Sequence, residues 1–415
     1  MNKLLSRLNE QENKRQLETI NLIASENYAS LNVRRAMSSR LTNKYSEGYP
    51  DKRYYPGNEI TDKVEKIAQK QALKLFKLSD KKWAVNVQPY SGSPANFSVY
   101  AAILQKNDTA LGMALPAGGH LTHGFPISHT GKFFNFYQYG VDKNGVLDYS
   151  KIENLAKKHK PKLIVCGASA YSRIINFKKL SQIAKKYNTF LMADIAHIAG
   201  LIAAGVHPSP FPYCDIVTTT THKTLRGPRG AIIFARKDKF IKSKVKSQMS
   251  NVSIVKLIDQ SIFPGHQGGP HNHQTLAIAQ ALIEAQTPKF KQYATQIIKN
   301  SKTLAEELQK RSYKIISDGT DNHLFLIDLT NKNMSGGEAE KKLEKNGIIA
   351  NRNTIPNDPK KPFDPSGIRI GTPAVTTRGM KEKEMKKIAE FIDRALRRED
   401  VGREVKRLAK KFSIP

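Results

Sequence analysis

Three stretches carry side chains whose types and spacing could do chemistry. In "DIVTTTTHKTLRGPRGAIIFA", residues 215 to 235, Lys223 follows four threonines and His222. Threonine favours strand, so the lysine stands where a strand ends. A lysine amine in a partly desolvated pocket loses basicity and can form a Schiff base with an aldehyde. A surface lysine in a turn would have the same local sequence. In "TFLMADIAHIAG", Asp194 closes an apolar run and His197 comes three residues later. A carboxylate there is costly to bury unless it meets a cation or hydrogen-bond donors. A protonated pyridine nitrogen would be such a cation, and a helix cap is the competing explanation. In "QPYSGSPANF", Ser91, Gly92 and Ser93 open a helix, with Ser93 expected as N-cap and Pro94 at the first helical position. Free amides at such a start bind phosphate, although a plain capped helix reads identically. No Lys-Ser/Thr pair follows the glycine, which excludes a nucleotide P-loop. A phosphate cradle, a carboxylate and a lysine on neighbouring strand ends match the phosphate, ring nitrogen and aldehyde of pyridoxal phosphate.

These residues need a scaffold that brings strand ends together. Between Asn58 and Gly269, short apolar runs ("WAVNVQP", "TALGMAL", "PKLIVCGAS", "TFLMADIA", "CDIVTTTT") alternate with helical segments at 59–78, 150–160 and 177–187. That alternation predicts an α/β fold with a mostly parallel sheet covered on both faces, whose functional edge lies at the carboxyl ends of the strands. Residues 277–311 read as a long helix broken at "QTPKF", where Pro288 interrupts the hydrogen-bond ladder. Strands and helices after it suggest a small α+β domain. The expected division is an arm and helix at 1–57, a large domain at 58–276 and a small domain at 277–415. Residues 1–20 read as a helix with Leu4, Leu5, Leu8, Leu17 and Ile20 on roughly one side. The long polar and aromatic stretch after it is expected to build a site rather than a core.

Composition narrows the classes. An apolar fraction of 39% and a charged fraction of 25% are those of a globular protein. The formal net charge of +32 attracts polyanions, but the lysines are scattered over helix-like segments, as on solvated faces, and no RNP-type interleaving of basic and aromatic residues occurs. No specific nucleic-acid contact is expected. Two cysteines, Cys166 and Cys214, make neither a disulfide framework nor a zinc set, which suits a reducing cytoplasm. The pairs His120/His123 and His271/His273 lack the accompanying ligands of a metal site. The opening residues have no signal-peptide core, and no apolar run is long enough to span a membrane.

Nine stretches in order ("LIASENY", "LTNKYSEGYPDKRYY", "QPYSGSPANF", "GGHLTHG", "DIAHIAGLIAAG", "TTTTHKTLRGPRG", "FPGHQGGP", "SDGTDNHLFLIDL" and "SGIRIGTPA") resemble the serine hydroxymethyltransferases, fold-type I pyridoxal-phosphate enzymes. The resemblance implies an aspartate aminotransferase-like fold with a seven-stranded sheet. It implies transfer of serine's hydroxymethyl group to tetrahydrofolate, giving glycine and 5,10-methylenetetrahydrofolate. Lys223 would hold the cofactor, Asp194 would pair with its ring nitrogen and His120 would stack on the ring. Ser169 and His197 would contact the ring's phenolic oxygen, while Ser91, Gly92, Ser93 and His222 would hold the phosphate. Tyr45, Gly268 and Gly269 would reach the cofactor of a second subunit, which implies a homodimer. Arg369, assisted by Ser30, would clamp the substrate carboxylate. Glu47 would handle a proton at the substrate hydroxyl beside Tyr55. Gly119, Leu121, Asn353 and Tyr54 would contact folate.

Ala117, Pro56, Asn58 and Ala231 depart from the family's common residues without removing an assigned group. The lysine-rich segment at 237–260 has no assigned role. A folate-independent aldolase for β-hydroxy amino acids shares Lys223, Asp194 and the phosphate turn; "GGHLTHG", Glu47 and Asn353 argue for the folate enzyme. An RNA-binding protein on the same scaffold would have to bind at physiological ionic strength.

Overall fold

The computed structural model describes residues 2–245, 248–361 and 363–415. Seven strands form the central sheet: β1 (Trp83–Asn86), β2 (Thr109–Met113), β3 (Asn135–Tyr139), β4 (Leu163–Cys166), β5 (Phe190–Asp194), β6 (Ile216–Thr220) and β7 (Ala231–Arg236). Their order is β1-β7-β6-β5-β4-β2-β3. Six run in one direction, and β7 is antiparallel to both neighbours. Every residue of β4 and β6 is buried, as strands covered on both faces require. The expected mostly parallel, seven-stranded α/β sheet is therefore the observed one.

The covering helices follow from amphipathic pattern and capping. In the helix Phe177–Lys186, Leu180, Ile183 and Ala184 face the core while Lys178, Lys179, Lys185 and Lys186 face water. Its Asn176 cap accepts from the Lys179 amide, and Asn188, in the left-handed region at φ 51°, turns the chain back into β5. The division at Pro288 is also as expected. One helix, α1, spans Asn272–Glu284, and a second, α2 (Pro288–Gln309), starts with that proline at its first position, where a missing N–H costs nothing.

A second sheet carries β8 (Lys314–Ile315), β9 (Leu324–Asp328), β10 (Asn351–Asn353) and β11 (Gly367–Gly371), all antiparallel in the order β8-β9-β11-β10. Its core runs from Leu304 to Ala409 and takes in Ile20 and Leu22 from the amino-terminal segment. The main core of the large sheet extends to Phe290 and Ile297. The two cores thus part within α2 rather than at residue 276, because its first turns pack on one sheet and its last turns on the other.

One further expectation is corrected. The first helix ends at Glu18 and buries no residue, and Ile20 leaves it to pair in parallel with Ile348. The lysine-rich segment folds as an antiparallel hairpin, Phe240–Val245 with Gln248–Ser253, followed by a helix at Ile254–Gln260; residues 246 and 247 lie outside the described ones. No helix among the described residues is long and apolar enough to cross a membrane.

Candidate active site

The carboxyl ends of β5 and β6 and the turn after β1 open on one cavity of about 440 Å3, lined by Ser91, Gly92, Ser93, His120, Ser169, His197, Thr220, His222, Lys223 and Arg369. Ser25, Glu26 and Arg229, to which no motif assigned a role, complete its wall. The helix after β1, Gly92–Ile103, is capped by Ser91, not Ser93, and Pro94 is its third residue. Ser91 is extended and its side chain bonds no helix amide, which leaves the first amides free for an anion. Gly92 is required by close approach: a Cβ there would stand 2.8 Å from Thr220 Cγ2.

Asp194 ends β5 and is fixed from three sides. Its Oδ2 accepts from Asn96 Nδ2 at 2.8 Å and from His123 Nε2 at 3.2 Å, and its Oδ1 accepts from the Ala196 amide at 3.0 Å. Burial alone would raise its pKa, but the His123 hydrogen bond, the nearby imidazoles and Asn96 outweigh it and hold the carboxyl well below its usual range. His123 Nδ1 accepts from the His120 amide at 3.3 Å, so its single proton sits on Nε2 and points at Asp194. The site therefore contains a fixed, anionic carboxylate held by Asn96, His123 and the Ala196 amide.

Lys223 lies just past β6, where its Nζ donates to Thr220 Oγ1 at 3.0 Å. Burial, seconded by repulsion from Arg369 and Arg229 against the attraction of Asp194, lowers its amine to about 8. Its carbonyl accepts from Asn27 Nδ2 at 2.9 Å. An amine so placed is unprotonated in a usable fraction near neutral pH, which nucleophilic attack on an aldehyde needs. Burial also keeps the imidazoles neutral, with His120 lowered to about 4 and His222 to about 3. His120 Nδ1 pairs with Thr122 Oγ1 at 2.8 Å, whereas the buried Nδ1 of His222 has no partner among the described residues.

Arg369 projects from β11 of the small sheet across to the large one. Its guanidinium donates to the Ser169 carbonyl at 2.8 Å and to Asn351 Oδ1 at 3.2 Å, with no carboxylate bound to it among the described residues. Burial lowers it to about 10, still charged at neutral pH. A buried cation without its counter-ion is expensive, and a ligand carboxylate would relieve it. His197 Nδ1 lies 3.0 Å from His323 Nε2, a residue sequence reasoning did not single out.

The remaining expected residues lie elsewhere. Ser30 caps the helix Leu31–Met37, accepting from the Val33 amide and donating to Glu284 at 2.8 Å, and it does not line the cavity. Ser25, five residues earlier, does. Tyr45, Glu47, Tyr55, Gly268 and Gly269 also stand off the Lys223 cavity and gather in a patch of their own. The Tyr45 and Tyr55 ring centroids are 5.2 Å apart, and Cβ atoms at Gly268 and Gly269 would stand 3.2 Å from Glu47 Oε1 and 3.1 Å from the Tyr45 ring. Tyr54 and Leu121 are exposed, Gly119 packs against the carbonyl of Met113 without room for a Cβ, and the Asn353 amide donates to the Thr354 carbonyl at 2.7 Å.

The family model described as Serine hydroxymethyltransferase matches residues 2–392. A curated protein from Acidothermus cellulolyticus named Serine hydroxymethyltransferase is 49% identical over 418 residues, covering 97% of this chain and 93% of that protein.

Proposed function

The chain belongs to the serine hydroxymethyltransferase family, and on that premise we propose how its residues divide the work. The enzyme moves the hydroxymethyl carbon of L-serine to tetrahydrofolate, giving glycine and 5,10-methylenetetrahydrofolate, and uses pyridoxal phosphate. The cavity fits that cofactor on its own chemistry. Free amides and the unpartnered His222 Nδ1 suit a phosphate, Asp194 is an anion prepared for a ring cation, and Lys223 is an amine prepared for an aldehyde. When bound, the cofactor supplies an electron sink for the bond that breaks at the substrate's Cα.

Lys223 would hold the cofactor through its aldehyde. Asp194 would pair with the ring nitrogen, and His123, donating from Nε2, keeps Asp194 aimed. His120 would cover the ring face, and Ser169 and His197 would contact its oxygen side. Arg369 fixes the serine carboxylate and with it the orientation of the bond to be broken. Ser25, on the cavity wall, takes the assisting part first given to Ser30. The observation that carries this reading is the convergence of Lys223, the Ser91–Ser93 turn and Arg369, from both sheets, on one cavity, with Asp194 near enough to act on the Lys223 charge.

Glu47, Tyr45, Tyr55, Gly268 and Gly269 serve the cavity of a second copy in a homodimer. Their clustering away from the chain's own Lys223 supports this reading. Folate lies against Gly119, Leu121, Tyr54 and Asn353, and the protein works in the cytoplasm. Glu47 handles the proton of the serine hydroxyl. Glu47→Gln is expected to bind serine with unchanged affinity and to lose folate-dependent glycine formation; full folate-dependent turnover by that variant would contradict the assignment.

A further inference from the structure

Five histidines (His120, His123, His197, His222 and His323) stand around the cavity or behind it, and the roles above leave His323 unused. His323 is completely buried immediately before β9, where its carbonyl accepts from the Thr372 amide at 3.0 Å. Its Nε2 lies 3.0 Å from Nδ1 of His197, with the rings tilted by 34°. Its Nδ1 has no hydrogen-bond partner among the described residues.

Two neutral imidazoles that share one hydrogen bond have two arrangements. In one, His197 donates from Nδ1 to a bare His323 Nε2, and the His323 proton must then sit on Nδ1 as a buried donor facing nothing. In the other, His323 carries its proton on Nε2 and donates it to His197, leaving only a lone pair unmatched at His323 Nδ1. Orphaned buried N–H groups are rarer in folded proteins than under-satisfied acceptors, so the second arrangement prevails. A doubly protonated His323 is excluded near neutral pH, since burial first, then repulsion from Arg369, His207 and Lys223, lowers it to about 3.

We propose that His323 is a positioning residue that sets the tautomer of His197: it donates from Nε2 to His197 Nδ1, which leaves the His197 proton on Nε2, the nitrogen free to face the cavity. His197 is then a hydrogen-bond donor toward an oxygen of whatever the cavity holds, and cannot act there as an acceptor. Such a donor favours the deprotonated form of a ring hydroxyl placed against it. The arrangement parallels the outer-shell partners that orient metal-bound imidazoles, here with histidine in the place of a carboxylate. A carboxylate at 323 would instead attract a second proton onto His197, so the neutral partner keeps the donor uncharged. This inference rests on His197 facing the bound cofactor.

The test is long-range 1H–15N correlation on histidine-labelled protein, free and loaded with pyridoxal phosphate, with His197 assigned through His197→Gln. The proton is expected on Nε2 of His197 in the wild type. His323→Gln, whose amide still donates, is expected to keep that tautomer, and His323→Leu to mix the two forms. The midpoint of the pH titration of the lysine-bound cofactor's visible absorption should move by about 0.5 unit or more in His323→Leu and less in His323→Gln. A wild-type His197 protonated on Nδ1, or one unaltered by His323→Leu, overturns the inference. Should His323→Leu not fold, the wild-type tautomer alone decides it. An absorption indifferent to His197→Gln would instead remove the reading that His197 faces the cofactor and leave the tautomer to stand on the resonances.

Discussion

At the residue scale, Asp194 and Arg369 are each prepared for an opposite charge brought by a ligand. Asp194 is held ionised by Asn96, His123 and the Ala196 amide, and Arg369 is held charged among carbonyl and amide oxygens, with no carboxylate on it among the described residues. For Arg369 this makes a quantitative expectation. A planar fork can give a carboxylate two charge-assisted hydrogen bonds of about 1.5–3 kcal/mol each. Lysine offers only a point charge, so Arg369→Lys should lose about one of them and raise the serine KM by about 10- to 100-fold, with a smaller effect on kcat. Steady-state kinetics in serine checks this, and an unchanged KM would remove Arg369 from substrate binding. Lys223, Asp194 and the serine turn were legible because a strand end is a place in the sequence as well as in space. His123 and His323 were not, because their partners Asp194 and His197 stand 71 and 126 residues away and no local pattern announces them. Ser25 and Ser30 sit five residues apart in "SENYAS", and only the path of the chain decides which of them faces the cavity.

At the element scale, the arm that carries Glu47 is clamped from beneath. Nη1 of Arg53 donates to the carbonyls of Ser46 and Gly48, on either side of Glu47, at 2.8 Å each, and its guanidinium pairs with Glu65 at 2.7 Å and Asp62 at 2.8 Å. Gln88, in the turn after β1, donates to the same Gly48 carbonyl and to Glu65. The helix Ile254–Gln260, which closes the lysine-rich segment, is tied to this assembly through Asp259. That residue accepts from Tyr49 Oη at its carbonyl and from Asn86 Nδ2 at its carboxylate, both at 2.7 Å. Burial, helped by the charge of Glu65 and opposed by Asn86, raises the Asp259 carboxyl to about 6. An acid raised on folding holds its proton more tightly in the folded state. Its favourable share of stability is intact below pH about 4 and lost as pH rises through 6. Asp259→Asn keeps the acceptor for Asn86 without the charge, so at pH 7.5 it should be more stable than the wild type by roughly 1–2 kcal/mol. Denaturant unfolding at pH 7.5 and pH 4 would show the difference shrinking at the lower pH. A variant less stable at pH 7.5 would mean that the ionised carboxylate is stabilising the contact. None of this clamp was visible in the sequence, where Arg53 is one of many basic residues and Asp259 closes a segment without a recognisable motif.

At the scale of the whole molecule, the alternation of apolar runs and amphipathic helices was enough to foresee a parallel sheet, because each strand is buried on both faces and each helix on one. The division between the two cores was harder to read. A 22-residue helix bridges them, so no composition shift marks the place, and Ile20 joins the distant core by pairing with Ile348. The placing of Glu47, Tyr45 and Tyr55 outside the cavity of their own chain is likewise a matter of how distant segments meet, which no local periodicity encodes. The proposed function requires one covalent attachment, at Lys223 just past the end of β6. Borohydride reduction of the cofactor-loaded enzyme, followed by peptide mapping, tests it most directly. The account predicts a stable pyridoxyl label on Lys223 alone, and a label on another lysine, or on none, would contradict it.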